Sequence, residues 1–278
     1  MSDERKTIVI TGASDGIGAA AARQLAGNGE RVVLVGRSRN KTEAIAREID
    51  APFHIADYAE LEQVRELAAD LATTYPRIDV LANNAGGIFG DRKLTKDGFE
   101  QTFQVNHLAG FLLTNLLLEN LIASNASVIQ TSSVAAKRFS KFDIDDLQGE
   151  HNYSGRVAYG NAKLANILFT RELDRRVAED GLSTAAFHPG VVATSFASSS
   201  GGLFGFIYTN PLTRRFMTTT EDGGSRLTFL ATGTPGQDWI SGEYYERDRP
   251  MASHRLSRDD QLARQLWERS AELVGLSG

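Results

Sequence analysis

Tyr159 and Lys163 stand four residues apart in VAYGNAKLANILF, Val157 to Phe169, where Val157, Leu164, Ile167 and Leu168 recur on one helical face. One turn of helix therefore projects a phenol and an ammonium from the same side. A free phenol, with a pKa of about 10, is a poor acid or base near neutrality. A fixed cation about 4 Å away, at an effective dielectric near 20, is worth roughly 4 kcal/mol, an upper bound of about three pKa units. Lys163 could thus bring Tyr159 near 7, the working range for proton transfer. An isolated pair of this kind is ordinarily a half-buried ring and a surface charge, so the reading needs further chemistry nearby.

That chemistry is suggested by TGASDGIG, residues 11–18, which follows a strand and opens a helix. In that setting Gly12 permits a tight turn, Gly16 lets the backbone approach a pyrophosphate, and Gly18 lets helix and strand pack closely. The phosphates would rest on the helix N-terminus, with the Ser14 hydroxyl nearby. The same residues also satisfy G-x-S-x-G, the nucleophile elbow of an α/β-hydrolase, but that elbow needs an earlier strand and loop to supply an oxyanion donor, and only one strand precedes it. At the end of the second strand, where an NAD site would place Asp or Glu, the residues are Gly36, Arg37, Ser38 and Arg39. A guanidinium without a carboxylate suits a 2′-phosphate, so NADP(H) is the expected cofactor, with NAD(H) as the alternative.

The elements that must position these groups alternate along the chain. Strands are expected at Thr7–Ile10, Arg31–Val35, Pro52–Ile55, Asp79–Ala82, Ser127–Thr131 and Thr184–Phe187, and helices at Gly16–Asn28, Thr42–Ile49, Leu61–Thr74, Phe99–Leu121, Val157–Asp180 and Glu221–Ala231. This order predicts an α/β fold, a doubly wound parallel sheet with helices on both faces, in a single domain spanning 1–278. Two segments break the rhythm: a polar insert at 137–156, and 195–220, which mixes Gly and Ser with aromatics and reads as a substrate lid. Phe89, Phe139, Phe196, Phe204, Phe206 and Tyr208 are candidates for lining an apolar substrate pocket or for ordinary core.

Composition removes other classes. The 278 residues are 41% hydrophobic and 23% charged, with net charge -5 and interspersed basic residues, so no nucleic-acid or anionic-lipid surface is expected. The absence of cysteine removes disulfides, thiolate catalysis and cysteine metal sites, and no histidine lies at metal-ligand spacing, so no metal is expected. His188 reads as structural or as a rim residue, and His107 and His151 as solvated or locally hydrogen-bonded. The charged start and the lack of a long apolar run predict a cytoplasmic protein with no membrane segment.

TGASDGIG, NNAG at Asn83–Gly86, Tyr159-Gly-Asn-Ala-Lys163 and HPG at His188–Gly190 occur in one order, each near a strand end or helix start. Together they resemble the short-chain dehydrogenase/reductase family over nearly the whole chain. VNHLAGFLLTNLLL, SSVAAKRF, YGNAKLANILFTREL and FHPGVVATSF are similar to its retinol-dehydrogenase branch, which also holds WW-domain-containing oxidoreductases. The resemblance implies a Rossmann-type fold and reversible interconversion of a carbonyl, an aldehyde or ketone, with an alcohol. It places the catalytic tetrad on Asn106, Ser133, Tyr159 and Lys163, with Ser133 rather than Ser132 as the serine. It implies cofactor contacts from Gly12, Ser14, Asp15, Gly16, Ile17, Gly18, Arg37, Asp57, Asn84, Ala85, Gly86, Tyr159, Lys163, Pro189, Gly190, Val192 and Thr194. Asp57 would meet the adenine amino group and Thr194 the nicotinamide carboxamide. Many NADP-using members carry a basic residue where this chain has Asp15, so the preference would rest on Arg37, alone or with Arg39. The implied partner is a fairly apolar small molecule, with a homo-oligomer, dimer or tetramer, expected by family analogy. The alternative is a dinucleotide-sensing or scaffolding protein that keeps the fold without useful catalysis.

Overall fold

The computed structural model describes residues 5–190 and 218–276. Eight strands, β1 (Thr7–Thr11), β2 (Arg31–Gly36), β3 (Phe53–Ile55), β4 (Val80–Asn83), β5 (Ser127–Thr131), β6 (Ser183–His188), β7 (Glu243–Glu246) and β8 (Arg249–Pro250), form one sheet in the order β3-β2-β1-β4-β5-β6-β7-β8. Every pairing is parallel except β7 with β8. Burial on both faces explains the β-branched composition of the central strands. Along β1, Ile8 and Ile10 enter one core cluster while Val9 enters the other, the two-residue alternation of a pleated strand.

Helices α1 (Gly16–Gly27), α2 (Arg39–Ile49) and α9 (Thr220–Thr232) cover the first face, where Ala19, Leu25, Ile45, Leu227 and Leu230 pack on Ile8, Ile10, Val32 and Leu34. The opposite face carries α3 (Leu61–Thr74), α5 (Ala109–Leu116) and α8 (Gly155–Val177), where Leu67, Leu71, Phe111, Leu112 and Phe169 pack on Val9, Val33 and Leu81. Because β1 lies between β2 and β4, the connections diverge there and leave a crevice at the C-terminal strand ends, the place where such sheets bind ligands.

Several boundaries differ from expectation. The single helix expected over 99–121 is broken into α4 (Gln101–Phe103), a π turn (Gln104–Leu108), α5 and α6 (Leu118–Ala123). Buried Asn106 and His107 lie in that π turn, a local widening of the coil that is frequent at functional sites. The polar insert begins inside a short helix, α7 (Ala135–Phe139), which buries Ala135 and Ala136 before the chain turns polar. Sequence reading missed β7, β8 and α10 (Asp260–Leu273) altogether. The amphipathic α10 is anchored by Ala263 and Leu266 against Leu164, Ile167 and Leu168 of α8, and by Trp267, which meets Phe111 edge-on at 5.1 Å and lies under the Arg176 guanidinium at 4.5 Å.

Helices α1 and α9 approach closely because Gly224 faces Ala20 and Ala21. A Cβ at Gly224 would stand 2.9 Å from both Ala20 Cβ and Ala21 N. Gly224→Ala should therefore overpack this contact and lower the unfolding free energy by about 1–3 kcal/mol, read as a lower denaturation midpoint in urea. An unchanged midpoint would contradict the packing.

Candidate active site

The cradle is built where β1 turns into α1. Gly12 has φ +66°, and a Cβ there would stand 2.7 Å from Ala85 Cα, so the turn needs glycine both for its dihedral and for its approach to the β4 end. Asn84 fastens the two strand ends together: its Nδ2 donates to Thr11 O at 3.0 Å and Gly12 O at 3.3 Å, and its Oδ1 accepts from Thr131 Oγ1 at 3.2 Å. Thr11 Oγ1 in turn accepts the Asn84 and Ala85 amides. Asp15 caps α1 by accepting from Gly16 N at 2.7 Å. The first-turn amides of Ile17 and Gly18 have no preceding helical carbonyl to pair with and suit an anion.

Around this turn the charge is arranged in a way the sequence did not show. Buried Gly36 ends β2 with Ser14 and Thr42 packed against it, which brings exposed Arg37 beside the glycine turn. Arg37 and Arg39 form no ion pair among the described residues, whereas Lys41 Nζ lies 3.0 Å from Asp15 Oδ2. Lys41 thus offsets the carboxylate that departs from the family pattern. Nothing local predicts this contact, which spans 26 residues between the first turns of α1 and α2. Asp57 follows β3, where its Oδ1 accepts from Ala59 N.

Across the crevice, α8 presents Tyr159 and Lys163 toward the ends of β4 and β5. Lys163 is 1% exposed, its Nζ donates to Thr131 O at 3.0 Å, and it lies 5.6 Å from the Tyr159 ring centre. A Cβ at Gly86 would stand 3.2 Å from Lys163 Nζ and 2.5 Å from Asn106 Oδ1, so the backbone after β4 passes directly over both groups. Asn106 holds that segment: its Nδ2 donates to Gly87 O and Thr102 O, and its Oδ1 accepts from Gly87 N. Tyr159 packs with Ile88, Ala135 and Phe139. The two serines after β5 have separate roles. Ser132 is buried with its hydroxyl donated to Lys163 O at 2.7 Å, while half-buried Ser133 accepts from Ala135 N at 3.1 Å at the start of α7.

Burial without a carboxylate partner pushes the Lys163 ammonium down to about 7. His188, buried below the β6 end, accepts from the Val134 and Gly190 amides through Nδ1, and burial holds it neutral with a pKa of about 4. Of the two readings of His107, solvated or hydrogen-bonded, the structure supports the second: the ring is buried and sits between Asn166 and Ser270. His151 is exposed and lies 3.4 Å from Asp146. Phe89 and Phe139 are half-buried beside the crevice, and Pro189 and Gly190 close it at β6. Val192, Thr194, Phe196, Phe204, Phe206, Tyr208 and nearly all of the expected lid lie outside the described residues. No cluster of potential metal ligands, and no helix long and apolar enough to cross a membrane, occurs among the described residues.

Residues 6–201 match the profile of the family described as short chain dehydrogenase. A protein of Streptomyces sp. (strain C5), provisionally named as the daunorubicin C-13 ketoreductase DnrU, is 43% identical across 97% of this chain and 93% of its own. Human retinol dehydrogenase 13 is 38% identical across 98% of this chain and 85% of its own. The crystal structure of an uncharacterised protein from Mycobacterium paratuberculosis superposes with a TM-score of 0.77 at 33% identity, covering 97% of this chain and 93% of that one.

The buried amine has a consequence for stability. Between about 7, its value when folded, and 10.5, its ordinary value, the unfolded chain binds the extra proton, so stability climbs as pH rises through this window. From pH 7 to 9 the unfolding free energy should rise by about 2 kcal/mol more in wild type than in Lys163→Met, measured by urea denaturation. Tyr58, Tyr153 and Tyr244, whose ionisation burial pushes upward, stay silent in this range. Parallel pH profiles for the two proteins would contradict a depressed Lys163.

Proposed function

The chain belongs to the short-chain dehydrogenases, an oxidoreductase family that binds nicotinamide dinucleotides, and on that premise we propose that it interconverts an apolar aldehyde or ketone with its alcohol using NADP(H). The observation that carries the reading is the convergence of Tyr159, Lys163, Asn106 and Gly86 at the C-terminal sheet edge, opposite the glycine cradle.

Two features support a dinucleotide here: the turn at Gly12, where a Cβ would collide with Ala85 and Asn84, and the first turn of α1, whose amides suit a pyrophosphate with Ser14 nearby. Asp57 would meet the adenine, Arg37 the 2′-phosphate, Asn84 to Gly86 the middle of the molecule, and Lys163 the nicotinamide ribose. Pro189, Gly190, Val192 and Thr194 would complete the nicotinamide end. The exposed Lys41 ammonium partly offsets the Asp15 carboxylate, which would otherwise oppose a 2′-phosphate. When bound, the nicotinamide supplies the hydride.

The protein supplies the proton and the geometry. Ser133 donates its hydroxyl to the substrate oxygen and stabilises charge developing there. Tyr159 gives its phenolic proton to that oxygen during reduction and takes it back during oxidation. The phenolate left behind is held by the Lys163 ammonium, whose Nζ lies 5.6 Å from the centre of the Tyr159 ring. The names of two relatives, a daunorubicin ketoreductase and a retinol dehydrogenase, join the half-buried Phe89 and Phe139 in supporting a bulky apolar substrate.

NADPH oxidation across a panel of aromatic and aliphatic aldehydes and ketones, including all-trans-retinal, tests the activity. Tyr159→Phe should bind NADPH within about threefold of wild type and lose about 10²- to 10⁴-fold in kcat. Substantial turnover in that variant would remove the proton-transfer role, and tight NADPH binding with no turnover in wild type would favour a sensor. Arg37→Ala should weaken NADPH binding at least about tenfold and leave NADH binding nearly unchanged, measured by fluorescence titration. An unaltered preference would remove Arg37 from the 2′-phosphate site.

A further inference from the structure

Asn166 has no part in the chemistry above, yet it is 3% exposed and its whole side chain is engaged. Its Nδ2 donates to Asn106 O at 3.0 Å and to Thr131 O at 3.3 Å, the second being the same carbonyl that accepts from Lys163 Nζ. Carbonyl oxygens only accept, so the amide nitrogen must face these two groups and Oδ1 must face His107. His107 Nδ1 lies 3.3 Å from Oδ1 and therefore carries the ring proton, which leaves Nε2 to accept from Ser270 Oγ at 3.0 Å. Burial keeps this imidazole neutral. One orientation thus runs through the whole chain, from the Ser270 hydroxyl on α10 to His107, to the Asn166 amide, and to the two carbonyls beside Lys163.

We propose that Asn166 is a positioning residue: by occupying Asn106 O and sharing Thr131 O, it fixes where the Lys163 ammonium sits against Tyr159 and Gly86, while His107 and Ser270 lock its amide in that orientation. The C-terminal helix thereby becomes part of the support of the active site. This inference rests on the proton-transfer reading of Tyr159 and Lys163. His188 provides an internal contrast, since its Nδ1 accepts two backbone amides and its ring must carry the proton on Nε2.

Two measurements test the proposal in the full chain. Nitrogen-15 NMR of histidine-labelled wild type should show two buried neutral rings of opposite tautomer, with the Nδ1–H ring disappearing in His107→Gln and its Nε2 resonance shifting in Ser270→Ala. Turnover is followed with NADPH and whichever carbonyl of the panel wild type reduces fastest. Asn166→Leu should lose 10- to 100-fold in kcat, with KM and the NADPH dissociation constant changed less than threefold, and Ser270→Ala should lose two- to fivefold in kcat alone. A folded Asn166→Leu with kcat within twofold of wild type overturns the proposal. So does an Nε2–H tautomer at His107, a result that needs no variant of Asn166 to fold. Turnover lost in Tyr159→Phe but kept in Asn166→Leu removes this inference alone, whereas turnover kept in Tyr159→Phe removes the reading beneath it.

Discussion

A lysine amine buried among carbonyls and an aromatic ring, with no carboxylate beside it among the described residues, is the constraint around which this molecule is arranged. Taking an ammonium out of water costs several kcal/mol unless other groups replace its hydration, and here the replacement is partial. Thr131 O accepts one proton, the Tyr159 ring offers its face, and Gly86 leaves room that any side chain would fill. The amine responds by shifting toward neutrality, to about 7. An uncompensated cation of this kind favours whatever negative charge next enters the crevice, whether a phenolate or an anionic ligand.

The scaffold delivers that cation to the right place through strand ends. β1, β4 and β5 terminate side by side, and Asn84 ties all three together through Thr11, Gly12 and Thr131. The turn that can cradle a pyrophosphate and the carbonyl that holds Lys163 are therefore mechanically linked by one amide side chain. From the other direction, α8 is clamped between the sheet and α10, with Ser132 fixing its backbone at Lys163 O. Rigid elements on both sides keep reacting groups in register more precisely than loops can.

What could be read from the sequence followed the range of the interactions involved. The glycine turn, the strand runs and the Tyr159–Lys163 spacing are local patterns, and the structure places those elements within a few residues of where periodicity put them. Four motifs in one order also carried the family. The π turn was not legible, because the local sequence around Asn106 reads as ordinary helix. The helix α10 was legible and went unread: Leu262, Ala263, Leu266, Trp267 and Leu273 recur at helical spacing behind an Asp259 N-cap. The Lys41–Asp15 pair and the link from Asn166 through His107 to Ser270 join residues 26 and 163 positions apart, respectively, at their widest steps, and no spacing rule reaches so far. The catalytic and cofactor roles assigned to individual residues remain the proposal that the geometry supports.

The most direct test of this account is a titration of the Lys163 side-chain nitrogen by NMR, with the resonance assigned through Lys163→Arg, in the free protein and with NADP⁺ bound. The account predicts a midpoint near 7 in the free protein, moving upward by at least about one unit when the dinucleotide phosphates and ribose enter the crevice. A free-protein midpoint close to the ordinary lysine value of 10.5, unmoved by NADP⁺, would contradict it.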